Sequence, residues 1–332
     1  MADYINIRGQ SIEVVASDPA NPTLGQIWYN STSNTLKGQA LGVGSWATSG
    51  NMNTARSTLG GAGTQTEALA FGGTPVPTVG SATEEYNGAT WTTSPPGLNT
   101  PRTTLTGAGT QTAGLAFGGS PIIPTPLVTT GATESYNGST WTSVNSMVTS
   151  RRGLAGAGTQ TAALGFGGNV PGPAPTGATE EYDGTSWTSS NPLNTARADL
   201  GGVGTQTAGL AFGGGTPAAT GATEEYDGNS WATSPGSLNT ARRAFAGAGT
   251  QAAALAAGGV LAPGALTGVT EEYNGATWTS SPVSLANARA GIAGAGTQTA
   301  GLAFGGDGAT GLTGETEEYT GAAPTTVTIT AS

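Results

Sequence analysis

The pentapeptide Gly-(Ala/Val)-Gly-Thr-Gln starts at Gly61, Gly107, Gly156, Gly202, Gly247 and Gly294, which commits the chain to an architecture repeating at steps of 46, 49, 46, 45 and 47 residues. Units of that length stack or close into arrays, because one unit cannot bury its apolar face alone. The spacing inside the unit shows what is rigid. Arg56, Arg102, Arg151, Arg197, Arg242 and Arg289 each precede a Gly-Gly pair by 16 residues, and Tyr86, Tyr136, Tyr182, Tyr226 and Tyr273 each precede a Trp by five. Only the stretch from Gly-Gly to Tyr varies much, from 12 residues in the fourth unit to 17 in the second. Two fixed hairpins joined by one adjustable loop are expected in every unit.

The residue types agree with that division. Short apolar runs such as Ala68-Leu69-Ala70-Phe71 flank Thr-Gln-Thr, and Asn-Gly or Asp-Gly before Thr/Ser-Trp is a strong hairpin signal. Each unit therefore reads as four antiparallel strands: Arg to Gly-Ala-Gly, a return to Phe-Gly-Gly, Thr-Glu-Glu-Tyr, and Thr-Trp-Thr. Repeated six times, this predicts an all-β, six-bladed propeller. A domain division follows: residues 1–36 form a short hairpin-like N-terminal attachment segment and residues 37–332 the propeller. Two routes can close the ring. Trp46 stands 10 residues before Arg56, matching the 10 or 11 from every other repeat Trp to its Arg, and can supply the outer strand missing after Tyr319; the rival is the alternating segment Thr325–Ala331. The Trp46 clasp is the favoured route.

The register inside the first hairpin carries its own expectation. The fifth unit has Ala257 where the others have Phe before Gly-Gly, and Phe245 where the others have Leu or Ile three residues after the Arg. A three-residue turn at Thr-Gln-Thr would put these two positions opposite each other, with Phe245 filling the space left at Ala257.

Composition limits the chemistry. The chain has 332 residues with 57 Gly, 19 Pro and only 9% charged residues, but its 36% hydrophobic content and seven Trp argue for a folded, turn-dense chain. Cys and His are absent. That excludes thiol nucleophiles, Ser-His-Asp triads, imidazole-held zinc, copper or haem iron, and disulfides. A net charge of −10 opposes nucleic-acid binding. The opening residues lack an apolar h-region and no run of 18 apolar residues occurs, so neither export by a signal peptide nor membrane insertion is expected.

The order and spacing of Arg, Gly-Gly, Tyr-(Asn/Asp)-Gly and Trp over roughly residues 46–320 resemble the kelch repeat. The resemblance implies a β-propeller whose innermost strands face the axis, consistent with the Gly and Ala of the first strand in each unit. Galactose oxidase resembles this family but needs imidazole-bound copper, an activity this chain cannot have. Residues 21–48, from Asn21-Pro22-Thr23-Leu24-Gly25-Gln26-Ile27-Trp28-Tyr29-Asn30 to Gly44-Ser45-Trp46, resemble a hairpin module of bacteriophage tail-fibre and other virion proteins. The tandem Gly-Ala-Gly-Thr-Gln-Thr units are similar to those of phage structural proteins. These resemblances imply a location in the virion after synthesis in the host cytoplasm. They also imply a non-enzymatic structural or adhesive part of tail, fibre or capsid. Its partners would be other virion proteins, or a host cell-surface glycan or protein. No cofactor is implied.

Candidate sites have plain alternatives. Glu84, Glu134, Glu180, Glu224, Glu271 and Glu317 recur two residues before Tyr, in number equal to the repeat Arg. A sialidase-like carboxylate clamp would gather the Arg in one pocket, whereas sixfold repetition favours one structural Arg–Glu pair per blade. The following Glu (85, 181, 225, 272, 318, interrupted by Ser135) could form an acidic ring for hard cations, or serve as strand-edge charge. Asp183-Gly-Thr-Ser-Trp187 is one residue short of a sialidase Asp box and reads as a turn. Trp46, Trp91, Trp141, Trp187, Trp231 and Trp278 read as structural. Binding is expected on the face that carries the variable loops, above all at Ile122, Ile123, Leu127 and Val128 in the longest of them. The alternative is a glycan-active enzyme or a carbohydrate-binding propeller working through carboxylates; against it, the carboxylates outside the repeat, Glu67, Asp199, Asp307 and Glu315, carry no motif and nothing marks a matched acid and base.

Overall fold

A computed structural model describes residues 12–75, 80–121, 128–172, 174–215 and 218–330. The chain divides into two compact units, one of residues up to Gly44 with those from Gly321 onward, the other Ser45–Thr320. This differs from the division at residue 36/37. Strand Thr35–Leu41 belongs to the first unit and pairs on its free side with Pro324–Thr328, so the first and the last described strands lie in that unit.

The first unit is a four-stranded sheet. Glu13–Val15 runs parallel to Ile27–Asn30, which forms a hairpin with Thr35–Leu41, and Pro324–Thr328 adds antiparallel at the far edge. Asp18 organises it: its carboxylate accepts from the indole Nε1 of Trp28 at 3.1 Å, from Asn30 at 2.7 Å and from Lys37 at 2.7 Å. The Lys37 ammonium, then the Asn30 and Trp28 donors, lower the Asp18 carboxyl from its ordinary 3.8 to about 2. A carboxylate whose pKa is depressed on folding stabilises the fold above its unfolded pKa and loses that contribution as the pH falls through the folded value. The Nε1–H resonance of Trp28 is thus expected to hold its folded position at pH 5 and to shift as the pH is lowered from 4 to 2. The Asp18→Asn variant should show no such transition.

The second unit is a closed six-bladed propeller of four-stranded antiparallel sheets. The first blade, Gly60–Gly63, Ala68–Phe71, Thr83–Tyr86 and Trp91–Thr93, stands for all. The inner Gly-Ala-Gly strands line the axis and neighbour one another in order, the last returning to the first. The sixth blade takes its outer strand from Ser45–Thr48, with Trp46 opposite Tyr319. The ring is therefore closed by Trp46. Of the rival segment, Thr325 to Thr328 instead lie in the edge strand of the first unit, Pro324–Thr328.

Register within the first hairpin differs by one residue from the expected one. The turn is four residues long, Thr64 to Glu67, with the Thr64 N–H donating to the Glu67 carbonyl, and Gly63 enters it at a φ of 102°. Gly60 rather than Leu59 then faces Phe71, and Ala246 rather than Phe245 faces Ala257. Phe245 does not fill the space at Ala257. It leans onto the preceding blade, 5.5 Å from the Phe212 ring and against Gly213. Leu59, Leu105, Leu154, Leu200 and Ile292 do the same, each lying over the first glycine of the preceding Gly-Gly pair.

Candidate functional site

Each repeated polar group is used to build the wheel. The six repeat Arg are fully buried, and each pairs with the Glu of its own blade: Arg56–Glu84 at 2.8 Å, Arg102–Glu134 at 3.2 Å, Arg151–Glu180 at 3.0 Å, Arg242–Glu271 at 3.3 Å, Arg289–Glu317 at 2.5 Å, and Arg197–Glu224. None of these Arg lines the axial cavity, so they form no common clamp. The same carboxylates also cap the backbone entering the blade, as Glu84 does for the N–H groups of Asn53 and Thr54. Burial pulls the Arg56, Arg102 and Arg242 guanidinium groups down to about 10, against the pull of their carboxylates, and they stay charged in neutral water.

Contacts between blades repeat as faithfully. The Gln of each pentapeptide donates to two carbonyls of the preceding blade, Gln111 to Ala68 and Tyr86 for example, and Gln65 closes the circle onto Gly301 and Tyr319. The second glycine of each Gly-Gly pair donates to the carbonyl of the next repeat Arg, ending with Gly306 on Arg56. Every repeat Trp donates its indole N–H to a Thr of the preceding blade, including Trp46 to Thr270 and Trp91 to Thr316. Five of them also pack in tilted or edge-on geometry 4.8–5.1 Å from the Phe of that blade; Trp46 alone meets Ala257 and is the one left partly exposed.

The second Glu is neither a cation ring nor bare edge charge. Glu85, Glu181, Glu225, Glu272 and Glu318 each accept the phenol of the next blade's Tyr, for instance Tyr136 on Glu85 at 2.5 Å and Tyr273 on Glu225 at 2.6 Å. A Ser of the neighbouring outer strand also meets the phenol, as Ser94 meets Tyr136 at 2.8 Å. Burial, then the Glu acceptor, raises Tyr86, Tyr136, Tyr226, Tyr273 and Tyr319 to about 12. At the junction of blades two and three both partners are replaced together, Glu by Ser135 and Ser by Val144, and Val144 packs into the cluster that holds Tyr182. Tyr182→Phe is expected to change stability by less than about 0.5 kcal/mol, whereas Tyr136→Phe costs about 1–2 kcal/mol because Glu85 loses a charge-assisted partner. Parallel denaturant titrations of the two variants check this.

Asp183 accepts the N–H groups of Thr185 and Ser186, which lower its carboxyl, and is a turn residue. Of the predicted binding loop, Ile122, Ile123 and Leu127 lie outside the described residues. Val128 is 38% exposed, and its carbonyl accepts from Ser120 Oγ at the base of the loop. Glu67 lies in the hairpin turn of the first blade, Asp199 just before the inner strand of the fourth, and Glu315 is held by Arg289 and Asn287.

One feature at the axis was not anticipated from sequence. The residues two places after each repeat Arg, Thr58, Thr104, Gly153, Asp199, Ala244 and Gly291, all have φ between 53° and 65°. Each donates its N–H to the carbonyl of its counterpart in the preceding blade at 2.7–2.8 Å, giving a closed hydrogen-bonded ring. The ring rims a cavity of about 160 Å³ on the axis, walled by Leu59, Leu105, Leu154, Leu200, Phe245 and Ile292. The chemical variety of the six rim residues hides the shared conformation from a reading of sequence.

No protein-family model and no curated protein sequence matches the chain. Among solved structures it is similar to YjhT, with a TM-score of 0.65 at 15% identity, over 85% of this chain and 96% of that one. The likeness is one of fold, an all-β propeller of repeated four-stranded antiparallel sheets consistent with the kelch type.

Proposed function

We propose that the protein is a non-enzymatic structural or adhesive component of a bacteriophage particle, in tail, fibre or capsid, that binds a neighbouring virion protein or a host surface component through loops on one propeller face. The observation that carries this reading is the commitment of the repeated ionisable groups to the scaffold. The Arg–Glu pairs lie inside blades and five of the six repeat Tyr phenols bond to a Glu between blades, which leaves the repeat frame no free acid and base of the kind hydrolysis needs. The variable lengths fall in the loops between second and third strands, on the face where each entering segment pairs with the loop of its own blade, as Ser57 does with Thr74. A rigid wheel with variable loops on one face suits recognition. The likeness of residues 21–48 to a virion hairpin module supports attachment through the first unit.

Quantitative mass spectrometry of purified particles tests the reading. A copy number that is a multiple of tail or capsid symmetry supports it; absence of the protein from particles overturns it. Release of sugars from host-surface glycans by the purified chain would favour an enzyme instead.

A further inference from the structure

The sheet of the first unit is apolar on a face that nothing covers. Residues paired across neighbouring strands share a face and successive residues alternate, so the register gathers Val14, Ile27, Tyr29, Leu36, Ala40 and Val327 on one side. Trp28, Asn30 and Gln39 fall on the other side and are buried there. Trp28 is the one buried large apolar side chain of this unit among the described residues. On the first side none of the six is buried: Val14 is 66% and Val327 40% exposed, and the four between them are partly exposed. Gly38 and Thr325 complete its paired positions, so no charged side chain interrupts it. The Tyr29 phenol already donates to Asn34 Oδ1 at 3.2 Å.

An antiparallel sheet with one face in water is ordinarily polar on that face. Four strands about 4.8 Å apart, presenting about 15 Å of length, give this one roughly 300 Å², a size at which exposed apolar patches often serve a contact. Charge bears on what can sit there. The first unit carries Asp3, Glu13 and Asp18 against Arg8 and Lys37, a net −1, which leaves −9 of the total −10 on Ser45–Thr320. Two copies of the chain repel each other through their propellers and least through their first units. With no charge of its own, the face offers a foreign protein nothing to select by, whereas a second copy brings an equal apolar area.

We propose that this face packs against the same face of a second copy of the chain, two four-stranded sheets forming a sandwich about 10 Å thick across a two-fold axis. The contact gives both first units the second apolar layer that one Trp cannot supply. The two faces bury roughly 600–1,000 Å² in total, which places the pair among weak dimers, with a dissociation constant of about 1–100 µM. The inference does not depend on where the protein resides, so its failure leaves the proposed function standing.

Sedimentation velocity of the full chain over about 1–300 µM tests it. The wild type is expected to pass from one chain mass towards two, and to associate more tightly at 500 mM than at 50 mM salt, as the propeller charge is screened. Val14→Glu/Val327→Glu should stay monomeric throughout at an unchanged propeller unfolding midpoint. Val14→Thr/Val327→Thr keeps strand-forming residues and should weaken association about tenfold. A dimer that persists in the Glu variant would place the contact elsewhere and overturn the proposal. A wild type that is monomeric at every concentration would overturn it too. Loss of stability in the Glu variant would then point to a cover from the same chain, and binding of an apolar dye to the wild type alone would point to a different protein.

Discussion

Glu224→Ala is expected to lower the free energy of unfolding by about 3–5 kcal/mol, among the largest losses available to a single substitution in this chain. The reason is what the substitution leaves behind. Arg197 has no exposed surface and Glu224 is 1% exposed, so truncation strands a guanidinium in the interior. It also removes the acceptor for the backbone N–H groups of Asn194, at 2.7 Å, and Thr195, at 3.3 Å, where the chain enters the blade. Glu224→Gln keeps an acceptor for those groups and should cost less. The double variant Arg197→Met/Glu224→Leu removes both charges, so its loss should be smaller than the sum of the single losses. It still leaves two unsatisfied N–H groups, at about 1–3 kcal/mol each. Denaturant midpoints read at constant slope separate these cases. A loss below about 1 kcal/mol for Glu224→Ala would mean that the pair is hydrated, and its sixfold recurrence would then need a cause outside stability.

The constant interval from Arg to Gly-Gly and the matching counts of Arg and Glu point to one buried pair per blade, because a structural device must recur while a catalytic one need not. The distance from Trp46 to Arg56 identifies the closing strand for a similar reason. Spacing is silent on conformation. Thr-Gln-Thr fits a three-residue turn as easily as Thr64–Glu67 fits a four-residue one, and the difference of one residue sends Phe245 to the preceding blade instead of Ala257. The joint loss of Glu at Ser135 and Ser at Val144 was a readable signal that the second Glu and the outer-strand Ser share a partner. The axial ring had no such signal, since its six members share a φ and no side-chain type.

Gly294→Ala and Gly247→Ala occupy the same place in the repeat and should still differ sharply. In five blades the inner glycine of the pentapeptide faces the Phe of the preceding blade; a Cβ at Gly107, for example, would meet Phe71 Cζ at 2.4 Å and one at Gly247 would meet Phe212 Cζ at 3.1 Å. An aromatic rim can shift by a few tenths of an ångström, most easily at Gly247 where the contact is loosest. The sixth blade's Gly294 faces a fifth blade that has Ala257 in place of that Phe, and without a ring as spacer the inner strands of blades five and six close together. A Cβ on Gly294 would stand 2.4 Å from the Gly247 carbonyl oxygen and 2.9 Å from its nitrogen, atoms held by the strand and unable to yield. Gly247→Ala should therefore cost less than about 1 kcal/mol, part of the strain being offset by the lower entropy of the unfolded chain. Gly294→Ala should cost about 3 kcal/mol or more, as a steric wedge at the junction that the Trp46 strand closes. With a shift of roughly 2–4 °C per kcal/mol for a unit of this size, the two unfolding midpoints should lie at least about 4 °C apart. Equal midpoints would mean that blades five and six are spaced like the other pairs, and that Ala257 has no part in how the wheel closes.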